Sequence, residues 1–594
     1  MVQLLGEGNL VMKANARSCW LALVVAVWMA PAARQATADT WTNSAGDRNW
    51  FNHANWADNS APTSSDDAII QLVGANRAEI GVGTAYANKV IVADSAGSVG
   101  ELAMFAGATT YFDEIRIANN PNTTGTMTID EGSANLISSF LVGVKGNGTL
   151  RQNGGTIFAQ KMVVGVDRPN PGQTAAAGLY EMHGGTLDVV ENVGISFGAG
   201  TTGTFNQTGG TIFARQMLLG DQGPIPVLGL PASHGTANIS GGKIDLIQFF
   251  RVGNGNNSKG TLNFSGGEIL AVKALLGDQN RGSGHVTMSG TAKFDLVEDL
   301  YMTGNGTSTF DMLGGTILTN HIVVGGHGKV VMTMSGGLID ATASLLLADT
   351  PTGEGYLTMT GGTIDLNGNV VLGWGDVTQP DGGIAAKLTV NGPSAVINAN
   401  HIFIRDELHM GQNAFEIELL NGTINLQGFL ADFMVLGSPQ FGLFDMHGGT
   451  LTLAGNKVAH VESRILSGDL TANGAAMSML SDFSIVYDGT KTIVTLAAAG
   501  VAGDYNSDGV VDAADYIVWR KAAALGATSL PNRSTGLSGP VGQLDYDFWR
   551  SRFGASAGSG AALEASHAAV PEPATLWILC VTWVISGMVS WRRR

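Results

Sequence analysis

The chain reads TLRQNGGTIFAQKMVVG from Thr149 to Gly165 and TFNQTGGTIFARQMLLG from Thr204 to Gly220. Each stretch holds three short apolar runs: TLRQ, TIFA and MVVG in the first copy. Runs of about four residues are too short for a helix and long enough for a strand. Apolar and small polar residues alternate in Thr358-Met359-Thr360 and in Thr333-Met334-Ser335, as a half-buried strand requires. Glycine reaches φ > 0 without a Cβ clash, so the glycine pair between runs suits a sharp corner. Other corners carry Gly-Asn-Gly, at Gly146 to Gly148 and Gly304 to Gly306.

The glycine-pair phrase returns at Gly154, Gly184, Gly209, Gly241, Gly266, Gly314, Gly336, Gly361 and Gly448. A period of about 25 residues signals a solenoid. One coil cannot bury its apolar face alone, but stacked coils share a continuous inner column of Ile, Leu, Val, Met and Phe. The expected fold is all-β: a right-handed parallel β-helix over residues 81–499, with three strands and three corners per coil. Roughly 17 coils at about 4.8 Å would make a rod about 80 Å long. Insertions at Asp167 to Leu179, Asp221 to His234 and Gly373 to Gly383 break the period, and their Pro and Gly content reads as loops. Near Ser289-Gly290 the pair decays to one glycine. A hairpin signal at Asn421-Gly422 supports a sandwich or propeller instead, but the period is short for a blade of about 40 residues.

Composition narrows the partners. The formal charge is -17, charged residues are 14% and glycines number 83 in 594 residues. With no basic patch or basic tail, nucleic acid is not an expected partner. The only cysteines are Cys19 and Cys580, so the body has no disulfide, thiol nucleophile or thiolate metal site.

Both ends read as addresses. Residues 1–38 form a signal peptide: Lys13 and Arg17, an apolar run from Cys19 to Ala30, then Ala36-Thr37-Ala38 with cleavage before Asp39. Met12 is an alternative start. Residues 556–569 are a small-residue linker. Residues 570–594 hold Val570-Pro571-Glu572-Pro573, an apolar span from Ala574 to Trp591 and Arg592-Arg593-Arg594. About 18 apolar residues can just cross a hydrocarbon core, with the arginines on the cytoplasmic side. This tail resembles the PEP-CTERM sorting signal, which implies an exosortase-type processing partner and release to the cell surface or matrix; a plain C-terminal transmembrane anchor is the alternative. Either topology places the body outside the cytoplasmic membrane.

Residues 39–80 contain Trp41, Gly46, Trp50, Asn55-Trp56, Pro62 and Asp66-Asp67-Ala68-Ile69-Ile70. The pattern resembles the opening of autotransporter-type and planctomycete-type β-helix surface proteins. Three tryptophans can plug the open apolar end of a solenoid. The sharper reading, a sugar-binding aromatic platform, is weaker because all three sit where a cap belongs.

Residues 500–555 hold GDYNSDGVVDAADYIVWR from Gly503 to Arg520. Asp504, Asn506, Asp508, Asp512 and Asp515 occupy positions 1, 3, 5, 9 and 12 of a twelve-residue loop, Val510 offers its carbonyl at position 7, and Gly509 turns the chain. Such an oxygen set suits calcium. Ala513 to Leu525 reads as a helix, and LDYDFWR at Leu544 to Arg550 echoes ADYIVWR at Ala514 to Arg520. The duplication resembles a type I dockerin, down to aspartate at position 12, which implies an EF-hand-type module and a cohesin-like partner. The second half departs from the pattern. Counting back from Asp545 places Ser534, Gly536, Ser538 and Gly542 at ligand positions, so no second calcium site is expected. Ala513-Ala514 stand at the positions of partner recognition.

Parallel β-helices include glycan-cleaving enzymes, which makes Asp188, Asp245, Asp340 and Asp365 candidate catalytic carboxylates. Asp340 and Asp365 on neighbouring coils would lie about 5 Å apart, near a retaining-glycosidase spacing. They occupy a repeat position, which favours an outward polar ladder. His183 and His447 also sit in repeat context and read as strand-surface residues. No Ser-His-Asp order, phosphate loop or zinc motif appears. The expected function is a structural or adhesive rod, with surface polysaccharide as a possible ligand; the alternative is a polysaccharide-processing protein.

Overall fold

In the computed structural model, residues 38–555 are described except 168–175, 225, 227–230, 278–281, 303–305, 351–352, 374–384, 406–414, 428–432, 437–441, 476, 498–500 and 535–536. The signal segment before residue 38, the linker and the sorting tail lie outside the described residues. Among the described residues no helix is long and apolar enough to cross a membrane.

The coil quoted first is built from its three apolar runs. Strands Asn147–Gln152, Thr156–Ala159 and Lys161–Val164 follow one another around the axis. Each pairs in parallel with its counterparts in the coils before and after, producing three columns of strands. The solenoid has about 15 turns spaced about 25 residues apart. Roughly 17 were expected. The longer coils carry the three insertions, all of which leave the third column and re-enter the first: Val164 to Ala177, Leu219 to His234 and Leu372 to Ala385.

Alternation sorts the side chains. Leu150, Ile157, Met162 and Val164 face inward and are fully buried. The isoleucine of the glycine phrase forms a ladder, Ile157, Leu187, Ile212, Ile244 and Ile269 in register. Each such side chain stabilises by roughly 1.5–3 kcal/mol. Two buried glutamines interrupt the apolar core at the end of the first column. Gln152 donates to the Thr186 carbonyl at 3.1 Å and accepts from the Tyr180 hydroxyl at 2.5 Å.

The two glycines of each corner do different jobs. Only the second is left-handed, for example Gly155 at φ +66° and Gly185 at φ +78°. The first is needed for space: a Cβ on Gly154 would lie 2.4 Å from the Asp130 carbonyl oxygen. A third glycine ladder escaped the sequence reading. Gly148, Gly178, Gly203, Gly235 and Gly260 stack in register at the start of the first column, and a Cβ on Gly178 would strike the Gly165 nitrogen at 2.3 Å. The hairpin signal at Asn421-Gly422 is a corner inside the continuous strand Phe415–Leu426, whose both ends pair in parallel with Ala385–Ala399.

The N-terminal segment pairs into the stack. Ala38–Thr40 pairs with Asp67–Ile70, which pairs with Val90 to Val92, and Ala78–Ile80 pairs with Leu102 to Met104. The three tryptophans are packed inside this first part of the stack. Trp41, Trp50 and Trp56 are each 1% exposed, which rules out a sugar-stacking platform. Trp56 meets both others edge to face, at 5.1 and 4.7 Å between centroids. At the far end Thr450–Ala454 pairs antiparallel with Lys491–Leu496. Helix Val458–Ser467, which the repeat did not announce, buries Val461 and Ile465. Reversing direction at this end ends the parallel template.

One carboxylate in the first coil is sensitive to pH. Asp39 is 4% exposed, and burial, then the neighbouring Asp58, pushes its carboxyl up to about 6. The unfolded chain titrates near 4, so the folded coil binds this proton more tightly. The resulting stabilisation is complete below about pH 4 and is lost as pH rises through about 6. Asp39→Asn is expected to leave hydrogen exchange of residues 38–70 unchanged at pH 4 and to slow it at pH 8. Equal exchange in both proteins at pH 8 would contradict this.

The described residues divide into two compact units, 38–480 with 485–495, and 481–484 with 496–555.

Candidate metal centre

The second unit is built on an internal repeat. Helices Ala513–Ala524 and Gln543–Arg552 begin at the N-caps Asp512 and Gly542. Trp519 Nε1 donates to the Gly542 carbonyl at 2.9 Å, and Trp549 Nε1 donates to the Asp512 carbonyl at 2.9 Å. Each helix thus bonds the N-cap of the other, a pseudo-twofold exchange that the echo of ADYIVWR in LDYDFWR encodes. Tyr505, Val511, Leu530, Val541 and Trp549 form the small core, with Tyr516, Trp519 and Tyr546 packed against it.

The six candidate ligands stand on the loop that enters the first helix. Asp504 and Asp515 are 1% and 0% exposed, whereas Asn506, Asp508 and Val510 face solvent. Asp504 accepts from the amides of Asp508 at 3.2 Å and Gly509 at 2.8 Å. Asp515 accepts from the amides of Asn506 at 2.8 Å and Asp512 at 2.8 Å. Asp512 Oδ1 caps the helix through the Ala514 amide at 2.7 Å. The Asn506 side-chain amide donates to Asp508 at 2.7 Å.

Among the described residues no three histidine, cysteine or carboxylate side chains converge as a finished metal shell. The donor set nevertheless fits a hard cation. Each oxygen of Asp504 and Asp515 holds one amide and keeps a second lone pair. Burial raises the Asp515 carboxyl, and the charge of Asp504 adds to that rise. Among the described residues neither has an ionic partner. Two desolvated carboxylates on one loop without a counter-charge are costly unless a cation joins them.

The second loop meets the same need differently. Asp545, the counterpart of Asp515, is 1% exposed and takes both arms of Arg533, Nε to Oδ1 at 2.5 Å and Nη2 to Oδ2 at 3.0 Å. Of the other second-half positions, Ser534, Ser538 and Gly542 supply no carboxylate, and Gly536 lies outside the described residues. Arg533 was missed because the loop template begins one residue after it. A basic residue beside a loop that has lost its acids was the available signal.

On the solenoid, the candidate aspartates Asp188, Asp245, Asp340 and Asp365 fall on the outward face of the second column. In register the order is Asp188, Phe213, Asp245, Leu270, Asp295, Leu318, Asp340, Asp365, Asn398 and Asn425. Only Asp340 and Asp365 are brought together. Asp365 accepts from the Asn398 amide, and Asn425 donates to Asn398 at 2.8 Å. His183 and His447 sit at the corner before the glycine pair, not on the strands. His183 contacts the Thr208 hydroxyl at 3.0 Å and His447 contacts Asp445 at 2.7 Å.

A titratable cluster unread in the sequence lies on the third column. Lys273 meets Asp299 at 3.0 Å and Glu298 at 3.3 Å, His321 meets Asp299 at 3.1 Å, and the Tyr301 hydroxyl donates to Asp349 at 3.2 Å. Lys273 is held up by its hydrogen bonds to Asp299 and Glu298, which outweigh burial. Asp299 is held down by Lys273 and His321 against burial. Burial raises Tyr301. All three move away from neutrality, the opposite of an acid–base site.

A comparison of the chain with protein-family models, curated proteins and solved structures finds no match.

Proposed function

We propose that the protein is a secreted, surface-sorted structural or adhesive rod of the bacterial envelope or extracellular matrix, ending in a calcium-stapled, dockerin-like module. The observation that carries this reading is the outward face of the coils. Short rows of its polar side chains stand in register and bond one another along the rod. Asn206, Asn238 and Asn263 form one such ladder, with amide bonds of 2.8 and 2.7 Å. A surface spent on its own regularity suits a scaffold better than a pocketed enzyme. Surface polysaccharide is the ligand class that such hydroxyl and amide rows suit, and a cohesin-like protein is the partner class implied for the module. The tail would deliver the chain through an exosortase-type enzyme.

Calcium would be held by Asp504, Asn506, Asp508, the Val510 carbonyl, Asp512 and Asp515, and supplies the counter-charge that the buried pair lacks. Titrating the full chain with calcium is expected to give saturable heat and to stabilise the second unit by about 2.7 kcal/mol at a hundredfold excess over Kd. Asp515→Ala should remove both effects. Wild-type protein with no calcium-linked heat or stabilisation overturns the calcium assignment.

The neighbouring carboxylates Asp340 and Asp365 favour a second reading, glycan processing. Turnover of a neutral or acidic glycan that Asp340→Ala abolishes would replace the scaffold; binding without turnover would support the adhesin.

A further inference from the structure

The two loops of the second unit invite a direct comparison. Asp515 and Asp545 stand 30 residues apart in sequence at the same point of the pseudo-twofold. Both are buried. Each accepts from the amide of its own N-cap, Asp512 at 2.8 Å and Gly542 at 2.9 Å. They differ in what neutralises them. Asp515 shares its loop with acids and amides only. Asp545 faces a guanidinium that also donates to the carbonyls of Thr528 at 2.9 Å, Gly539 at 2.8 Å and Pro540 at 3.5 Å. A carboxylate plus several carbonyl oxygens is the kind of shell a hard cation gathers. Here a side chain of the protein fills it.

We propose that Arg533 is the built-in cation of the second loop, so that the module takes one metal ion rather than two, and calcium governs only the first helix. This rests on the calcium reading of the first loop for its metal half, and on the Arg533–Asp545 geometry alone for the other.

The physical logic concerns where the two helices get their stability. Helix Gln543–Arg552 is anchored by a bidentate, largely buried ion pair that needs no solute. Its side chains are 11% and 1% exposed, so solvent screens it little. Removing one partner would leave a buried charge uncompensated. Among the described residues helix Ala513–Ala524 has no such internal partner at Asp515, and on this proposal it depends on an added cation. The module is therefore a half-switch: one helix is fixed, the other is loaded by metal.

The reciprocal tryptophan bonds give that asymmetry a consequence. Trp549, on the fixed helix, reaches the Asp512 carbonyl at the mouth of the calcium loop. The fixed half thus holds the N-cap of the conditional half near its folded position, which lowers the ordering cost when calcium arrives.

The test uses the full chain in chelator and in calcium, with hydrogen exchange read separately on residues 513–524 and 543–552. In wild type we expect one calcium per chain. Chelator should speed exchange of 513–524 at least tenfold while leaving 543–552 protected. Arg533→Met should speed exchange of 543–552 at least tenfold in both conditions. The double variant Arg533→Met with Asp545→Asn should recover most of that protection, because the orphaned carboxylate is gone; a residue that merely fills space would show no such recovery. Two calcium ions per wild-type chain, or unchanged protection in Arg533→Met, overturns the proposal. Wild type without calcium binding, but with the Arg533→Met effect and its rescue intact, removes the metal half and leaves the arginine anchor standing.

Discussion

Gly185→Ala is expected to destabilise the middle of the rod by about 3–4 kcal/mol, while Gly474→Ala costs only about 1 kcal/mol. The two glycines have nearly the same backbone, φ +78° and φ +72°. They differ in what a Cβ would meet. At Gly474 nothing lies within 4 Å, whereas at Gly185 the Gly155 carbonyl oxygen lies at 2.4 Å and the Gly154 carbonyl carbon at 2.6 Å. The pair therefore separates the dihedral cost from the stacking cost. All the atoms struck are backbone, and moving them would disturb the parallel pairing of two coils. A solenoid is coupled mainly through nearest neighbours, so the damage should stay local. Hydrogen exchange should rise in Thr156–Ala159 and Thr186–Val189 and stay unchanged near the ends. Equal effects of the two variants would mean that the coils can spread at no cost, and that the glycine pair records only a left-handed turn.

That distinction marks how far the sequence could be read. The three runs, the corners and the inward isoleucine were legible because each is a local rule repeated many times, and repetition filters chance. What repetition could not reveal is contact between coils. Gly154 and Gly178 need no unusual dihedral, and their constraint comes from backbone atoms of residues distant in sequence, the Asp130 carbonyl and the Gly165 nitrogen. The first strand, Ala38–Thr40, was hidden because it belongs to the stack only through its pairing with Asp67–Ile70. Helix Val458–Ser467 lies past the last glycine pair, where the period no longer informs. In the second unit the candidate ligand loop was visible as a spacing of acids. Arg533 was not, because it stands one residue outside the ligand template and reaches Asp545 only when the second loop closes on itself. A spacing of like residues survives in the string, and the replacement of a metal by a side chain from outside the template does not.

The ends of the rod obey a different requirement from its middle, and Trp56→Ala tests it. The indole is 1% exposed, packs edge to face against two other indoles and donates Nε1 to the Trp50 carbonyl at 2.8 Å. Truncating a buried tryptophan costs about 3–5 kcal/mol. Among the described residues the first coil has a neighbour on one side only, so this loss cannot be shared, and residues 38–92 should fray while the central coils keep their exchange rates. Fraying would uncover a parallel strand edge, a template for pairing with another chain. Light scattering at matched concentration should then show a larger mean mass for Trp56→Ala than for wild type. Trp56→Phe keeps an edge-to-face contact but loses the hydrogen bond, and should fall between them at a cost nearer 1–2 kcal/mol. If Trp56→Ala frays the first coils without associating, the tryptophans serve stability alone and another feature must guard the edge. If its first coils stay protected, the tryptophan cluster is not the plug of the solenoid.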